Sequence, residues 1–273
     1  MHAEQQAYTW LKQQGLDHPI LTPLTGYTNH VFRVESTQAP QRSVIRIGNH
    51  QLAAGLCPLA HYPQQVIRLH QEAVELGLAP KLLGFDDQVG IMWLAYAGER
   101  RALQIHDFSE IRALLTRLHH SDLAWRSPEQ TELEGINLQL LQSLQTATDP
   151  QLYQAAEQLL KLAAQRAYAH YPLNPVHSDL NPGNWLHDGQ AWWLIDWDYA
   201  RLMPAEWDYA SLIVEHAWDK AKAQALNPSI PLPDLAWFCA NFALLSWDWH
   251  RQRGTQAVAS KQAITHYWLQ LCQ

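Results

Sequence analysis

His177, Asp179, Asn184 and Asp196 recur at fixed offsets within Pro175–Ala200, which reads PVHSDLNPGNWLHDGQAWWLIDWDYA. His177 and Asp179 are two apart, Asn184 follows Asp179 by five, and Asp196 comes twelve later, at the end of the apolar run Trp192–Ile195. Pro182-Gly183 is a turn signal and makes Asp179–Asn184 a tight loop. Asp188-Gly189 is a hairpin signal between two short apolar runs, Asn184–His187 and Ala191–Ile195. Such a hairpin returns the chain from Asn184 to Asp196. Three oxygen-bearing side chains, Asp179, Asn184 and Asp196, are then expected to face one cavity. This donor set suits phosphoryl transfer. A carboxylate orients a hydroxyl nucleophile and takes its proton, while Mg2+, a hard ion, prefers oxygen ligands.

The order of these groups matches the kinase arrangement: a loop Asp as base, an Asn five residues later on Mg2+, and a second Asp after a hairpin on Mg2+. The stretch resembles the aminoglycoside phosphotransferase and choline kinase family, in particular its thiamine kinase and choline kinase branch. The motifs that carry the resemblance are His177-Ser-Asp179-Leu-Asn-Pro-Gly-Asn184 and Ile195-Asp196-Trp-Asp198-Tyr. Ser178 after the His and Trp197-Asp198 after the second Asp depart from the Arg and Phe-Gly usual in protein kinases, which favours the small-molecule branch. The resemblance implies that Asp179 is the catalytic base and that His177 holds the loop by local hydrogen bonds. It makes Asn184 and Asp196 the Mg2+ ligands, Asp198 a contact to metal or substrate, and Asp208 a prop for the catalytic loop. A helix N-cap is the other reading of Asp208. A chance acidic loop would not combine this spacing with the hairpin. A metallohydrolase built on His177 and Asp179 lacks an HExxH or paired-His motif.

Periodicity and turn signals outline the elements that must position these groups. Ala3–Gln14 has helical spacing at Ala7, Trp10 and Leu11, with Gly15 as a stop. Ile20–Leu24, His30–Glu35 and Ser43–Ile47 read as strands, followed by Leu82–Phe85 and Ile91–Ala95. Thr25–Asn29 joins the first two. It resembles the family's phosphate loop, with Gly26, Thr28 and Asn29 placing backbone N–H groups toward the β- and γ-phosphates; taken alone it is an ordinary hairpin turn. Arg46 stands where the family usually has a phosphate-binding Lys. Arg keeps the charge but grips two oxygens rather than acting as a point charge; an edge-strand Arg in solvent is the alternative. Gly48–His61 reads as a loop. Pro63–Leu76 is a helix with Val66, Leu69, Ala73 and Leu76 on one stripe. It resembles the helix that supplies a Glu to the strand Lys, yet no acid falls near Gln64–Val66, and Glu72 lies about two turns further on. Leu94–Ala97 resembles the hinge whose main chain binds an adenine edge, with Leu94 and Ala97 at its ends. A linker without ligand contact is the alternative.

From Asp107 onward the pattern is helical: Phe108–His119, Leu138–Leu144, Pro150–Tyr168, a helix opened by Pro204–Ala210, then Leu232–Arg253 and Gln256–Leu271. The fold expected is a two-lobed, protein-kinase-like α+β fold. Residues 1–97 form a nucleotide-binding lobe around a five-stranded antiparallel sheet, and residues 98–273 form a mainly helical, catalytic and acceptor-binding lobe. The resemblance places ATP between the lobes.

A net charge of −7 disfavours nucleic acid as a partner and suits a cationic substrate. The apolar run Leu235–Trp247 is broken by Asn241 and is too short to span a bilayer, so no membrane partner is expected. MHAEQQAYTW lacks the basic-then-apolar order of a signal peptide. Cys57, Cys239 and Cys272 form an odd set without ligand spacing and read as thiols in a reducing cytoplasm. Thirteen tryptophans are unusual; many are expected to be core, and some can supply an aromatic cage for a cation. Ser246-Trp247-Asp248-Trp249 resembles thiamine kinase. It suggests an acceptor pocket using Trp247 or Trp249, which point about 200° apart on a helix, so that one is core. The activity expected is ATP- and Mg2+-dependent phosphorylation of a small cationic alcohol such as thiamine or choline. An aminoglycoside or sugar phosphotransferase, and a non-catalytic nucleotide-binding protein, are the alternatives.

Overall fold

The computed structural model describes residues 3–26, 28–38, 40–49, 62–121, 149–166 and 171–272, with side chains in the fifth stretch through residue 162. Cys57, Tyr27 of the phosphate-loop turn, most of the loop expected at 48–61, the helix expected at Leu138–Leu144 and the end of Pro150–Tyr168 lie outside the described residues. The chain divides into two compact units, Met1–Arg101 with Trp185–Tyr199, and Ala102–Asn184 with Ala200–Gln273.

The first unit is built on strand alternation. β1 (Ile20–Leu24), β2 (His30–Glu35), β3 (Arg42–Ile47), β4 (Leu82–Asp86) and β5 (Ile91–Ala95) pair antiparallel in the order β1-β2-β3-β5-β4. Successive residues of a strand face opposite sides, and here both sides are covered. Phe32, Val34, Ile45, Ile47, Ile91 and Trp93 pack with Ala7, Trp10 and Leu11 of α1 (Ala3–Gln13). Met92 and Leu94, the alternate residues of β5, pack with Val66 and Ile67 of α2 (Pro63–Glu75). Trp10 meets Trp93 edge-on at 6.4 Å, a geometry that adds about 0.5–1.5 kcal/mol beyond area burial.

A second, three-stranded sheet joins β6 (Glu99–Arg100) to the hairpin of β8 (Trp185–His187) and β9 (Trp192–Leu194), in the order β6-β8-β9. The sequence reading did not include β6, whose two residues are too few to show a period. Leu194 N–H donates to Leu78 O at 2.8 Å and ties the hairpin to this unit. Gly98 makes the approach of β6 to β8 possible. It has φ +89°, and a Cβ there would lie 2.1 Å from His187 O and 2.7 Å from the Asp188 Cα. Gly98→Ala is therefore expected to lower unfolding stability by about 2 kcal/mol or more in a urea titration, from left-handed strain plus the clash. An unchanged midpoint would show that the connector can shift away freely.

Among the described residues, the second unit is helical apart from one ribbon, β7 (Leu173–Val176) antiparallel to β10 (Arg201–Pro204). Its helices are α3 (Phe108–His119), α4 (Pro150–Arg166), α5 (Glu206–Glu215), α6 (Lys220–Leu226), α7 (Leu232–Gln252) and α8 (Val258–Leu271). Helix α7 is buried without a break from Leu235 to Leu244. A helix apolar on all sides must be central, and α4, α5 and α8 pack around it. Among the described residues, no helix is long and apolar enough to cross a membrane.

Candidate active site

Within the second unit, the loop after β7 is shaped by one buried carboxylate. Asp208, in the first turn of α5, is fully buried. Its Oδ2 accepts the His177 N–H at 3.0 Å and its Oδ1 accepts the Ser178 N–H at 2.8 Å. His119 Nε2 of α3 meets the same Oδ2 at 3.0 Å. Ser178 has φ +65°, a conformation that costs a residue with a side chain about 1–3 kcal/mol and needs surrounding restraint. The two N–H bonds to Asp208 supply that restraint. Leu180 N–H donates to Ser211 Oγ at 2.8 Å. Ser211 is three residues beyond Asp208, on the same helix face, so α5 grips the loop twice. His177, also fully buried, accepts the Asp179 N–H on Nδ1 at 3.3 Å.

Asp179 and Asn184 are brought together in this loop. Asn184 Nδ2 donates to Asp179 Oδ2 at 3.0 Å and to Asp179 O at 2.9 Å. Both amide hydrogens are thereby engaged, and Oδ1 is the atom of Asn184 that can ligate a cation. Asn181 Nδ2 donates to Asp179 Oδ1 at 2.9 Å, and Asn181 also closes the turn by accepting the Gly183 N–H on Oδ1 at 2.7 Å. The Pro182–Asn184 turn follows from Pro-Gly at its start. Sequence reasoning missed Asn181 and Ser211. Asn two residues before a Gly in a turn is a signal for the first, while nothing local marks the second.

In the first unit, a second group gathers around Arg46. Strand β3 is interior to its sheet, and Arg46 pairs with Val31 on one side and Met92 on the other. Its side chain is 9% exposed, which excludes a solvated edge charge. Its Nη2 lies 3.1 Å from Asp196 Oδ1 and also pairs with Asp198 Oδ1. Burial opposes the guanidinium charge, but Asp198 and then Asp196 outweigh it and hold Arg46 above its usual pKa. Asn29 bridges the same pair, donating from Nδ2 to Asp198 Oδ2 at 3.2 Å and to Asp196 Oδ1 at 3.5 Å, and accepting the Asn49 N–H on Oδ1 at 3.1 Å. Asp196 has φ +69°, which Asp tolerates better than most residues. Gly26, in the same β1–β2 turn as Asn29 and the half-buried Thr28, leaves no room for a side chain, since an added Cβ would lie 2.8 Å from Asn29 O.

Helix α2 gives Arg46 no carboxylate. Glu72 pairs instead with Arg68 at 2.8 Å. His70 is buried with a ring nitrogen 2.8 Å from Pro80 O, and its pKa is pushed down to about 4, by burial first and also by the charge of Arg46. Leu94 is buried within the ladder between Val44 and Leu82, and the Ala95 N–H donates to Lys81 O at 2.8 Å. Ala97, also buried, lies past the end of β5, so the main chain beyond the ladder begins at Tyr96.

In the second unit, Trp247 is the core member of its pair, 1% exposed with its ring 5.8 Å from His266. Trp249 is half-buried, with the Arg253 guanidinium carbon 3.2 Å from its ring centroid. Asp248 is buried and accepts from Arg251 Nη2 at 2.6 Å and Gln252 Nε2 at 2.7 Å. Asp208, Asp179, His177 and Asn184 thus form one cluster, and Asn29, Arg46, Asp196 and Asp198 another.

The donor chemistry fits Mg2+. Among the described residues, no three His, Cys, Asp or Glu side chains gather as a protein-only metal cage. Asp196 of the first unit, with a carboxylate 31% exposed, offers an oxygen donor, and so, within the second unit, does the Asn184 amide. Mg2+ is held by one or two such groups, with water and phosphate oxygens completing its shell.

A sequence profile described as the phosphotransferase enzyme family matches residues 1–263. No curated protein matches the chain. Among solved structures, choline kinase LicA from Streptococcus pneumoniae superposes with a TM-score of 0.78 at 14% identity, covering 99% of each chain. Aminoglycoside phosphotransferase APH(4)-Ia gives 0.70 at 14% identity, covering 98% of this chain and 99% of that one. Amicoumacin kinase hAmiN, in complex with AMP-PNP, Ca2+ and Ami, gives 0.64 at 15% identity, covering 99% and 95%. These likenesses establish a protein-kinase-like fold, with a small antiparallel-sheet unit and a mainly helical one.

Proposed function

This chain belongs to the phosphotransferase enzyme family, and on that premise we propose that it transfers the γ-phosphoryl group of ATP to a hydroxyl of a small cationic alcohol of thiamine or choline type. The observation that carries the reading is the loop of Asp179, with its carboxylate gripped by Asn181 and Asn184 and its backbone anchored on Asp208. The first unit is the nucleotide-binding part and the second the catalytic and acceptor-binding part. Asp179 orients the acceptor hydroxyl and takes its proton as that oxygen bonds to phosphorus and the bond to ADP breaks. Because the transition state is loose, orientation matters more than early proton transfer. Backbone groups at Gly26, Thr28 and Asn29 and the Arg46 guanidinium receive the phosphates. Main chain from Tyr96 to Ala97 receives the adenine edge. Asn184 Oδ1 and Asp196 would hold Mg2+, which would supply positive charge against the phosphates. That hAmiN is seen with AMP-PNP and Ca2+ supports a nucleotide together with a divalent cation.

Asp196→Ala is expected to abolish the Mg2+-dependence of nucleotide binding, since the carboxylate is the stronger ligand. Asn184→Ala should weaken it less, because a neutral amide contributes less to a dication. Mg2+ titrations that coincide with wild type in both variants would remove the metal assignment.

A sugar-type acceptor is the second reading. One observation favours it: Asp248 is already paired with Arg251, and Arg253 lies over Trp249, so this segment offers an incoming cation little unpaired charge. An ATP-consumption screen across thiamine, choline, ethanolamine, aminoglycosides and amino sugars decides, followed by a cationic acceptor against a neutral alcohol of matched shape. Preference for the neutral alcohol rejects the cationic reading. Nucleotide binding with no turnover on any alcohol rejects both. If Trp249 serves the acceptor, Trp249→Leu raises the acceptor KM roughly 2- to 30-fold with the ATP KM unchanged. Trp247→Leu instead lowers unfolding stability by about 2–4 kcal/mol.

A further inference from the structure

Arg46 is shared between two carboxylates that differ in exposure. Asp196 is 31% exposed and Asp198 is 7% exposed, and the same nitrogen, Nη2, contacts both. Arg46 Nε is buried with no hydrogen-bond partner, so the guanidinium relies on these carboxylates rather than on water. A cation taken up by Asp196 would draw on an oxygen that now pairs with Arg46. Among the described residues, no carboxylate other than Asp196 and Asp198 pairs with Arg46; Glu72 of α2 is engaged with Arg68. Asp198 is the acid held back from solvent and fixed from its other oxygen by Asn29.

We propose that Asp198 is a positioning residue, the counter-ion that balances Arg46 and holds it in place when Asp196 gives its carboxylate to a divalent cation. The proposal rests on the reading of Asp196 as a metal ligand. Asp198 acts on the metal through Arg46 and is not itself a ligand. The chain thereby separates two tasks within three residues: Asp196 faces the ion and Asp198 faces the arginine. Without Asp198, metal binding would strand a buried cation beside a second one, so the variant should resist the metal.

The test is a double-mutant cycle read by electron paramagnetic resonance of Mn2+ in the absence of nucleotide, so that no phosphate serves as a counter-charge for Arg46. Asp198→Asn should weaken Mn2+ binding about tenfold, as expected for coupling between neighbouring sites. Asp198→Glu should restore most of it. Arg46→Met combined with Asp198→Asn should return the affinity to within about threefold of Arg46→Met alone, because no buried cation is left to strand. A double variant as weak as Asp198→Asn would make Asp198 a ligand and overturn the proposal, as would an unchanged affinity in Asp198→Asn. Asp196→Ala is the control: if it leaves Mn2+ binding intact, the metal reading itself fails. Thermal unfolding of the same set guards against misfolding. The double variant should melt above Asp198→Asn, and the opposite order would also count against the pair.

Discussion

Asp179→Asn is expected to lower kcat and kcat/KM together by roughly 10²–10⁴-fold, the range that a positioned acid–base group supplies, while nucleotide affinity stays near wild type. The substitution keeps the size of the side chain but removes the proton acceptor. It has a structural cost too, which the geometry bounds. The carboxylate now accepts from Asn181 on one oxygen and from Asn184 on the other. An amide has one acceptor oxygen, so one of these two donors loses its partner, at about 1–3 kcal/mol if it stays dry. Unfolding midpoints and ADP titrations therefore accompany the kinetics. A variant that binds ADP normally and turns over near the wild-type rate would reject Asp179 as the base.

Asp208→Asn should have an effect of similar size, reached through structure. Two loop N–H groups and His119 converge on the two oxygens of this fully buried side chain. An amide can serve one side of that arrangement and turns an N–H toward the other. Leaving one or two buried donors unpaired costs about 2–5 kcal/mol. It also removes the restraint on Ser178, whose left-handed backbone sits immediately before Asp179. The expected outcome is a large stability loss in urea unfolding together with a drop in kcat/KM of about 100-fold or more at temperatures where the variant is folded. Ser211→Ala removes a single bond to the same loop and should cost only about 1 kcal/mol. If Asp208→Asn is as stable and as active as Ser211→Ala, the carboxylate is not the anchor of the loop.

What the sequence determined is local in origin. Strand alternation was legible because each strand of the main sheet is five or six residues long; Ile20–Leu24, His30–Glu35 and Ile91–Ala95 were read with the bounds they have. The helical period placed Phe108–His119 equally well. Turn chemistry at Pro182-Gly183 and Asp188-Gly189 placed the loop and the hairpin that carry Asp179, Asn184 and Asp196. The short strands β6, β7 and β10 escaped notice because two to four residues cannot establish a period; their identity comes from the partner across the ladder. Contacts between residues far apart in the chain were beyond the sequence for the same reason. The family resemblance suggested Arg46 as a phosphate contact and left its counter-ion open, with the acid sought on Pro63–Leu76. The fold puts Asp198 there, 152 residues away in sequence. It likewise chose Trp247 for the core and put Arg253 over Trp249, a choice that helical phase limits to one of the two but does not make. A side chain's type and its neighbours in the chain determine what it can do. Which partner a buried charge finds is decided only when packing excludes water and leaves it one oxygen to face.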